Sequence, residues 1–140
     1  MNSLQFTVFA KPEPQGSTRA FIPKGWNRAI ITTDNAKLKP FRQEVAQTAL
    51  AAMHEHGAQM AARGVPIALT LGFFFDKPKS VRKSVHRKTT KPDLDKLARA
   101  ALDALTGIVY ADDSQVDECH ATKSFGSPVR LEIQVRMELP

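Results

Sequence analysis

Residues 91–107 read KPDLDKLARAALDALTG, and residues 108–116 continue as IVYADDSQV. Pro92 marks a boundary, because the residue before a proline is pushed out of helical geometry. Asp93 stands where a helix N-cap is expected. Leu94, Leu97, Ala101 and Leu105 recur on one face, with Ala98 and Leu102 beside them, which predicts a helix from Asp93 to about Thr106. Gly107 is its expected terminator. Ile108, Val109 and Tyr110 form a short apolar run, read as a short strand or hairpin, that ends at Asp112 and Asp113.

Upstream, Pro66 opens a strong strand with Ile67, Leu69, Leu71, Phe73 and Phe75 on one face, and Pro78 ends it. A helix is expected from Pro40, with Phe41, Val45, Ala49 and Met53 (and Ala52) as its apolar stripe and Gly57 as its stop. Leu4, Phe6 and Val8 alternate with Gln5 and Thr7 as in a half-buried strand. Residues 11–25 are rich in Pro, Gly, Ser and basic side chains and read as a long loop. Downstream, Val129, Leu131, Ile133, Val135 and Met137 alternate as a final strand. No repeat or composition break divides residues 1–140. The expected fold is a single two-layer α+β domain, a small mixed sheet with two helices packed on one face.

At 140 residues the chain suits one compact domain. No apolar run approaches the roughly 20 residues that span a bilayer, and Met1–Gln5 carries no secretory pattern. The single cysteine, Cys119, excludes an internal disulfide and a thiolate zinc cage. A reducing, cytoplasmic setting is expected. The net charge is +6, and its distribution is uneven. Lys77, Lys79, Arg82, Lys83, Arg87, Lys88 and Lys91 follow one another with no acidic residue among them, leaving the rest of the chain slightly negative. Such a local positive field suits a polyanion. The segment has little apolar content to insert into a membrane surface, and a solvated loop that aids solubility is the simpler alternative.

The chemistry is expected between Asp93 and Asp113. An N-cap Asp93 and a first-turn Asp95 can converge at the positive end of a helix, where ionised carboxylates are favoured. One of Asp112 and Asp113 would complete an oxygen-only cluster for Mg²⁺ or Mn²⁺, since adjacent side chains in an extended segment point to opposite sides. Each position also has a plainer reading. Asp93 alone reads as a cap, Asp95, Arg99 and Asp103 as a surface ion-pair ladder, and Asp112–Asp113 as an exposed turn. Co-occurrence favours chemistry, because phosphodiester hydrolysis needs carboxylate-held metal ions beside cations that grip flanking phosphates. No Gly-x-Ser-x-Gly elbow is present, and His54, His56, His86 and His120 are scattered.

The two quoted segments together resemble the signature of the RusA family of Holliday-junction resolvases, a D-x-D-N-L-x-K helix followed by D-A-L and a D-D-x-Q-V motif. The similarity is close over residues 91 to 123, and in outline only before that. It implies a RusA-like fold, a metal-dependent crossover junction endodeoxyribonuclease, and a homodimer using Mg²⁺, with Mn²⁺ as a substitute. Asp93, Asp95 and Asp113 match the family's metal-binding aspartates, and Arg99 takes the place of its helix lysine. Lys123 matches a further family lysine, and Asp103 matches the aspartate of D-A-L, read as structural and pairing with Arg99.

Two positions depart from the pattern. Lys96 stands where asparagine is usual, and Arg99 can act as an electrostatic clamp but not as a proton donor. These departures keep open a junction-binding module without catalysis, and a nuclease acting on flaps, forks or duplex is a third reading. The expected partner is a four-way junction or other branched DNA, in recombination, repair or phage DNA processing, in a bacterium or its phage. Lys77, Lys79, Arg82, Lys83, Arg87, Lys88, Lys91, Lys96, Lys123 and Arg19, with Lys24 and Arg28, are the expected DNA contacts. Two-fold symmetry of such a junction suits a C₂ dimer that nicks two opposed strands. Trp26 or Phe21 is a candidate to stack at the crossover, although packing of Trp26 against its own core is the simpler expectation.

Overall fold

The computed structural model describes the backbone of residues 2–16, 18–33 and 35–138, and their side chains except at 2, 18–20 and 31–33. Its centre is β4 (Ile67–Phe75), whose alternating Ile67, Leu69, Leu71, Phe73 and Phe75 are all buried. Burying each such side chain contributes about 1.5–3 kcal/mol, enough to fix which face of the strand turns inward. β4 belongs to a four-stranded sheet ordered β1–β6–β4–β5, where β1 is Asn2–Val8, β5 is Val116–Phe125 and β6 is Arg130–Met137. β6 runs antiparallel to β1 and β4, while β4 and β5 are parallel, so the sheet is mixed as expected.

Two helices cover the apolar face. α1 (Leu38–Glu55) buries Leu38, Phe41, Val45, Ala49, Ala52 and Met53, and packs on β1 and α2. It starts ahead of the expected Pro40, because a proline in the first turn lacks only an N–H that would have no helical partner there. α2 (Leu94–Leu105) buries Leu97, Ala100, Ala101, Ala104 and Leu105. It is the crossover that parallel β4 and β5 require. On the opposite face Gln5, Thr70, Glu132 and Gln134 are exposed.

Three expectations are corrected. Residues 108–110 form a turn instead of a strand, tied back by Gly107 N–H to Tyr110 O (2.7 Å) and Val109 N–H to Leu105 O (3.0 Å). The strand comes later, as the ten-residue β5. It sits at the sheet edge with mostly polar residues on its open face, so no apolar alternation announces it. The expected loop at 11–25 contains β2 (Thr18–Phe21), paired with β3 (Ile30–Thr33) in a separate ribbon. Backbone pairing, which has no side-chain period, joins these two strands. Trp26 near its tip is 51% exposed, and Phe21 and Ile22 are exposed with it, so Trp26 does not pack into the core.

Candidate active site

α2 begins at the end of the basic segment, and β5 holds that segment in place. Lys123 is paired with Phe73 in the β4–β5 ladder, so its side chain rises on the helix side of the sheet. Its Nζ donates to Thr90 O (2.6 Å) and Pro92 O (2.8 Å). Backbone bonds from Lys88 N–H to Lys123 O (3.2 Å) and from Phe125 N–H to His86 O (2.7 Å) attach residues 86–88 to the same strand. The chain therefore reaches Asp93 along a fixed path.

Asp93 occupies the N-cap with extended backbone, yet its carboxylate accepts no capping hydrogen bond. Asp is favoured at an N-cap because its oxygen binds an N–H of the first turn. That bond is not made here, so the plain capping role leaves the carboxylate unused. It is about half exposed, with Lys96 Nζ 4.0 Å away. Asp95 lies exposed in the first turn. The early loop touches this turn through Gln15 N–H to Lys96 O (3.0 Å), and Gln15 Oε1 is buried with no hydrogen-bond partner among the described residues.

Arg99 is exposed one turn further on. Among the described residues no salt bridge joins it to Asp95 or Asp103, so the expected ladder does not form. An exposed pair gains too little to offset the ordering of two side chains. Arg99 consequently presents its guanidinium to solvent.

The adjacent aspartates divide their work. Asp112 Oδ1 accepts from Ser114 N–H (2.9 Å), capping the single 3₁₀ turn Asp113–Gln115, and these contacts hold its pKa below the ordinary carboxyl value. Asp113 is exposed and its pKa is raised, first by partial desolvation and then by the nearby carboxylates of Asp112 and Asp103. Tyr110 is buried beneath it, and its hydroxyl donates to Leu102 O (2.7 Å). Burial, and then the charge of Asp113, keep that phenol protonated well beyond its usual range.

The charge of Asp103 reaches Asp113, and Asp103 is eight residues beyond Asp95, or about 12 Å along the helix axis. Among the described residues no three acidic, histidine or cysteine side chains converge on one point. Mg²⁺ does not demand such a cage, since it keeps several waters and binds one or two carboxylates together with substrate phosphates. The donor chemistry fits such an ion. The donors are exposed carboxylate oxygens, the hard ligands such an ion takes.

The cations fall into two groups. Lys79, Arg82, Lys83, Arg87 and Lys91 are exposed. Lys77, Lys88 and Lys123 use their ammonium groups within the fold. Lys77 Nζ donates to the carbonyls of Arg82 (3.1 Å) and Lys83 (3.0 Å). Lys88 Nζ lies 5.4 Å from the Phe75 ring and 5.7 Å from that of Phe125, and donates to Thr90 Oγ1 (2.8 Å). Its pKa is lowered by desolvation and then by the charges of Lys123 and Lys11. Such crowding of ammonium groups favours an incoming anion. The side chain of Arg19 lies outside the described residues.

Sequence patterns do not single out Phe75 and Phe125 as the floor under Lys88, nor Gln115 as more than a motif letter. The glutamine is visible within D-D-x-Q-V, but two of its four partners, Ala62 and Val65, are some fifty residues away in the chain.

A dense cationic strip that leads into uncapped, exposed carboxylates defines a protein that handles a phosphodiester backbone. The family described as "Endodeoxyribonuclease RusA" matches residues 11–136, all but the two ends, and the chain belongs to that family. It is accordingly an endodeoxyribonuclease, from a family that acts on branched DNA junctions. It is also similar to the Bacillus subtilis (strain 168) protein named "Uncharacterized protein YqaN", with 32% identity over 146 aligned positions and 97% of each chain covered. No helix is long and apolar enough to cross a membrane among the described residues.

Proposed function

We propose that residues 1–140 act as one structure-selective endonuclease domain that resolves four-way junctions by paired, metal-dependent nicks. The observation that carries this reading is Asp93, held at the N-cap by the Lys123 anchor while its carboxylate caps nothing. Asp93, Asp95 and Asp113 would supply carboxylate oxygens to Mg²⁺ or Mn²⁺, one or two per ion together with substrate phosphates and water. When bound, the metal supplies charge neutralisation at the phosphate and a more acidic water. Arg99 offers a fixed positive charge to the phosphorane-like transition state. Water adds to phosphorus, the bond to the 3′ oxygen breaks, and the proton passes to that oxygen. The products are a 5′-phosphate and a 3′-hydroxyl, which are ligatable.

Lys79, Arg82, Lys83, Arg87 and Lys91, all exposed, would meet flanking phosphates together with Lys77, Lys88 and Lys96. Arg19, Lys24 and Arg28 belong to the ribbon strands or their connection and extend the grip, and exposed Trp26 and Phe21 can stack on unpaired bases. A homodimer would place two such sites on a two-fold junction. The setting is the cytoplasm of a bacterium or of a phage-infected host, in recombination, repair or phage DNA processing.

The test is incubation of the protein with a synthetic four-way junction, with and without Mg²⁺, and separation of strands on a denaturing gel. Symmetric paired nicks that require the metal support the proposal. Binding without nicks in either Mg²⁺ or Mn²⁺ refutes it, and equal cutting of linear duplex refutes its structure selectivity.

A further inference from the structure

Among the described residues, Gln115 is the only amide or charged residue buried with the core. Its Oε1 accepts from the N–H groups of Ala111 and Asp112, both at 3.0 Å. Its Nε2 donates to Ala62 O (2.8 Å) and Val65 O (3.1 Å). A glutamine amide offers two donor hydrogens and one oxygen with two acceptor sites. All four are used, and every partner is backbone.

These bonds join the turn between α1 and β4 to the peptide units that precede Asp113. A buried amide with its full set of partners is costly to rotate, because any other orientation leaves polar groups unpaired. The backbone at 111–112 is therefore pinned from within the core, and Asp112 is engaged on Ser114 N–H. Of the two adjacent carboxylates, Asp112 is the one committed to backbone, with Arg63 Nη1 3.9 Å from its other oxygen, and Asp113 is the more exposed. Stability alone would be served by an apolar side chain of similar volume if the backbone groups at 62, 65, 111 and 112 could find other partners.

We propose that Gln115 is a positioning residue for Asp113, holding the Asp112–Asp113 segment in the one backbone path that presents the Asp113 carboxylate to the reacting phosphate. This inference rests on the junction-endonuclease reading. It assigns Gln115 an effect on the cutting step and none on DNA binding.

The experiment compares the full-length chain with Gln115→Met, which keeps the apolar stem and approximate volume and removes the amide. Junction affinity is measured in Ca²⁺, and the single-turnover cutting rate in Mg²⁺ at saturating protein, both corrected for the folded fraction from circular dichroism. The expected result is a cutting rate at least ten-fold lower with affinity within two-fold. If Gln115→Met does not fold, Gln115→Glu is read in the same way. It can still accept from Ala111 and Asp112, and when ionised it loses both donations to Ala62 and Val65. A rate per folded molecule equal to wild type overturns the inference, as does a loss of rate and affinity in step. A wild-type chain that cuts no junction refutes the function, and this inference with it. A wild-type chain that cuts while the variants cut equally well refutes this inference alone.

Discussion

Replacing Lys123 by methionine separates two roles for this side chain, phosphate contact and internal anchor. The anchor role follows from two ammonium hydrogen bonds, to Thr90 O and Pro92 O, at 2.6 and 2.8 Å. Hydrogen bonds to a charged group contribute about 1.5–3 kcal/mol each when shielded, and the exposed bond to Thr90 belongs at or below the low end. Methionine keeps the stem packed, so the expected loss is about 2–3 kcal/mol. For a domain of this size that lowers Tm by roughly 8–12 °C. The second readout is the salt dependence of junction binding. A lysine that neutralises a phosphate steepens the slope of log K against log salt by about 0.9, whereas an anchor leaves the slope unchanged. Thermal unfolding by circular dichroism and a junction-binding titration from low to moderate salt make the comparison. An unchanged Tm with a slope shallower by about 0.9 refutes the anchor role and returns Lys123 to the DNA-binding side chains.

Asp95→Asn and, separately, Asp113→Asn are expected to abolish cutting while junction binding persists, as read by gel shift beside the cleavage assay. A variant that cuts at the wild-type rate removes its residue from the site. Arg99→Lys should retain activity, whereas Arg99→Ala should reduce the single-turnover rate by about 10²–10³-fold, the effect of removing one electrostatic donor to the transition state. Equal rates for the two variants would count against a charge at that position. Arg82→Gln with Lys83→Gln should weaken junction binding and reduce the salt slope by about 0.9 for each phosphate no longer neutralised, with little change in Tm. Asp113→Asn should also stabilise the metal-free fold at neutral pH. Desolvation and neighbouring carboxylates raise the folded-state pKa of Asp113 above the ordinary 3.8, so its ionisation disfavours the folded state. The penalty is absent below the unfolded value, grows as pH rises through the folded value, and persists above it. The difference in Tm between variant and wild type should therefore vanish in acid, and a constant difference across pH contradicts this account.

Much of this protein was legible in its sequence because burial imposes a period. Ile67 to Phe75, Leu131 to Met137, and the stripes of both helices alternate or recur as their faces require, and these elements lie where their patterns predict. The candidate site was legible in part. Asp93 and Asp95 at a helix start, the exposed basic segment before it and the D-D-x-Q-V motif are all local in the chain, and the resemblance they carry agrees with the family match to residues 11–136. β5 was not legible, since an edge strand with polar residues on its open face is held by ladder bonds that leave no hydrophobic signature. Tertiary structure alone decided which lysines are exposed and which are anchored, because the fold brings the loop carbonyls of Thr90 and Pro92 to Lys123 and the strand residues Phe75 and Phe125 to Lys88. It also decided that Asp93 caps nothing, that Asp112 and Asp113 divide into a cap and an outward carboxylate, and that Gln115 joins residues some fifty positions apart. Composition and spacing determine which groups are available to react. Hydrogen-bond geometry across distant segments determines which of them remain unsatisfied, and so able to act.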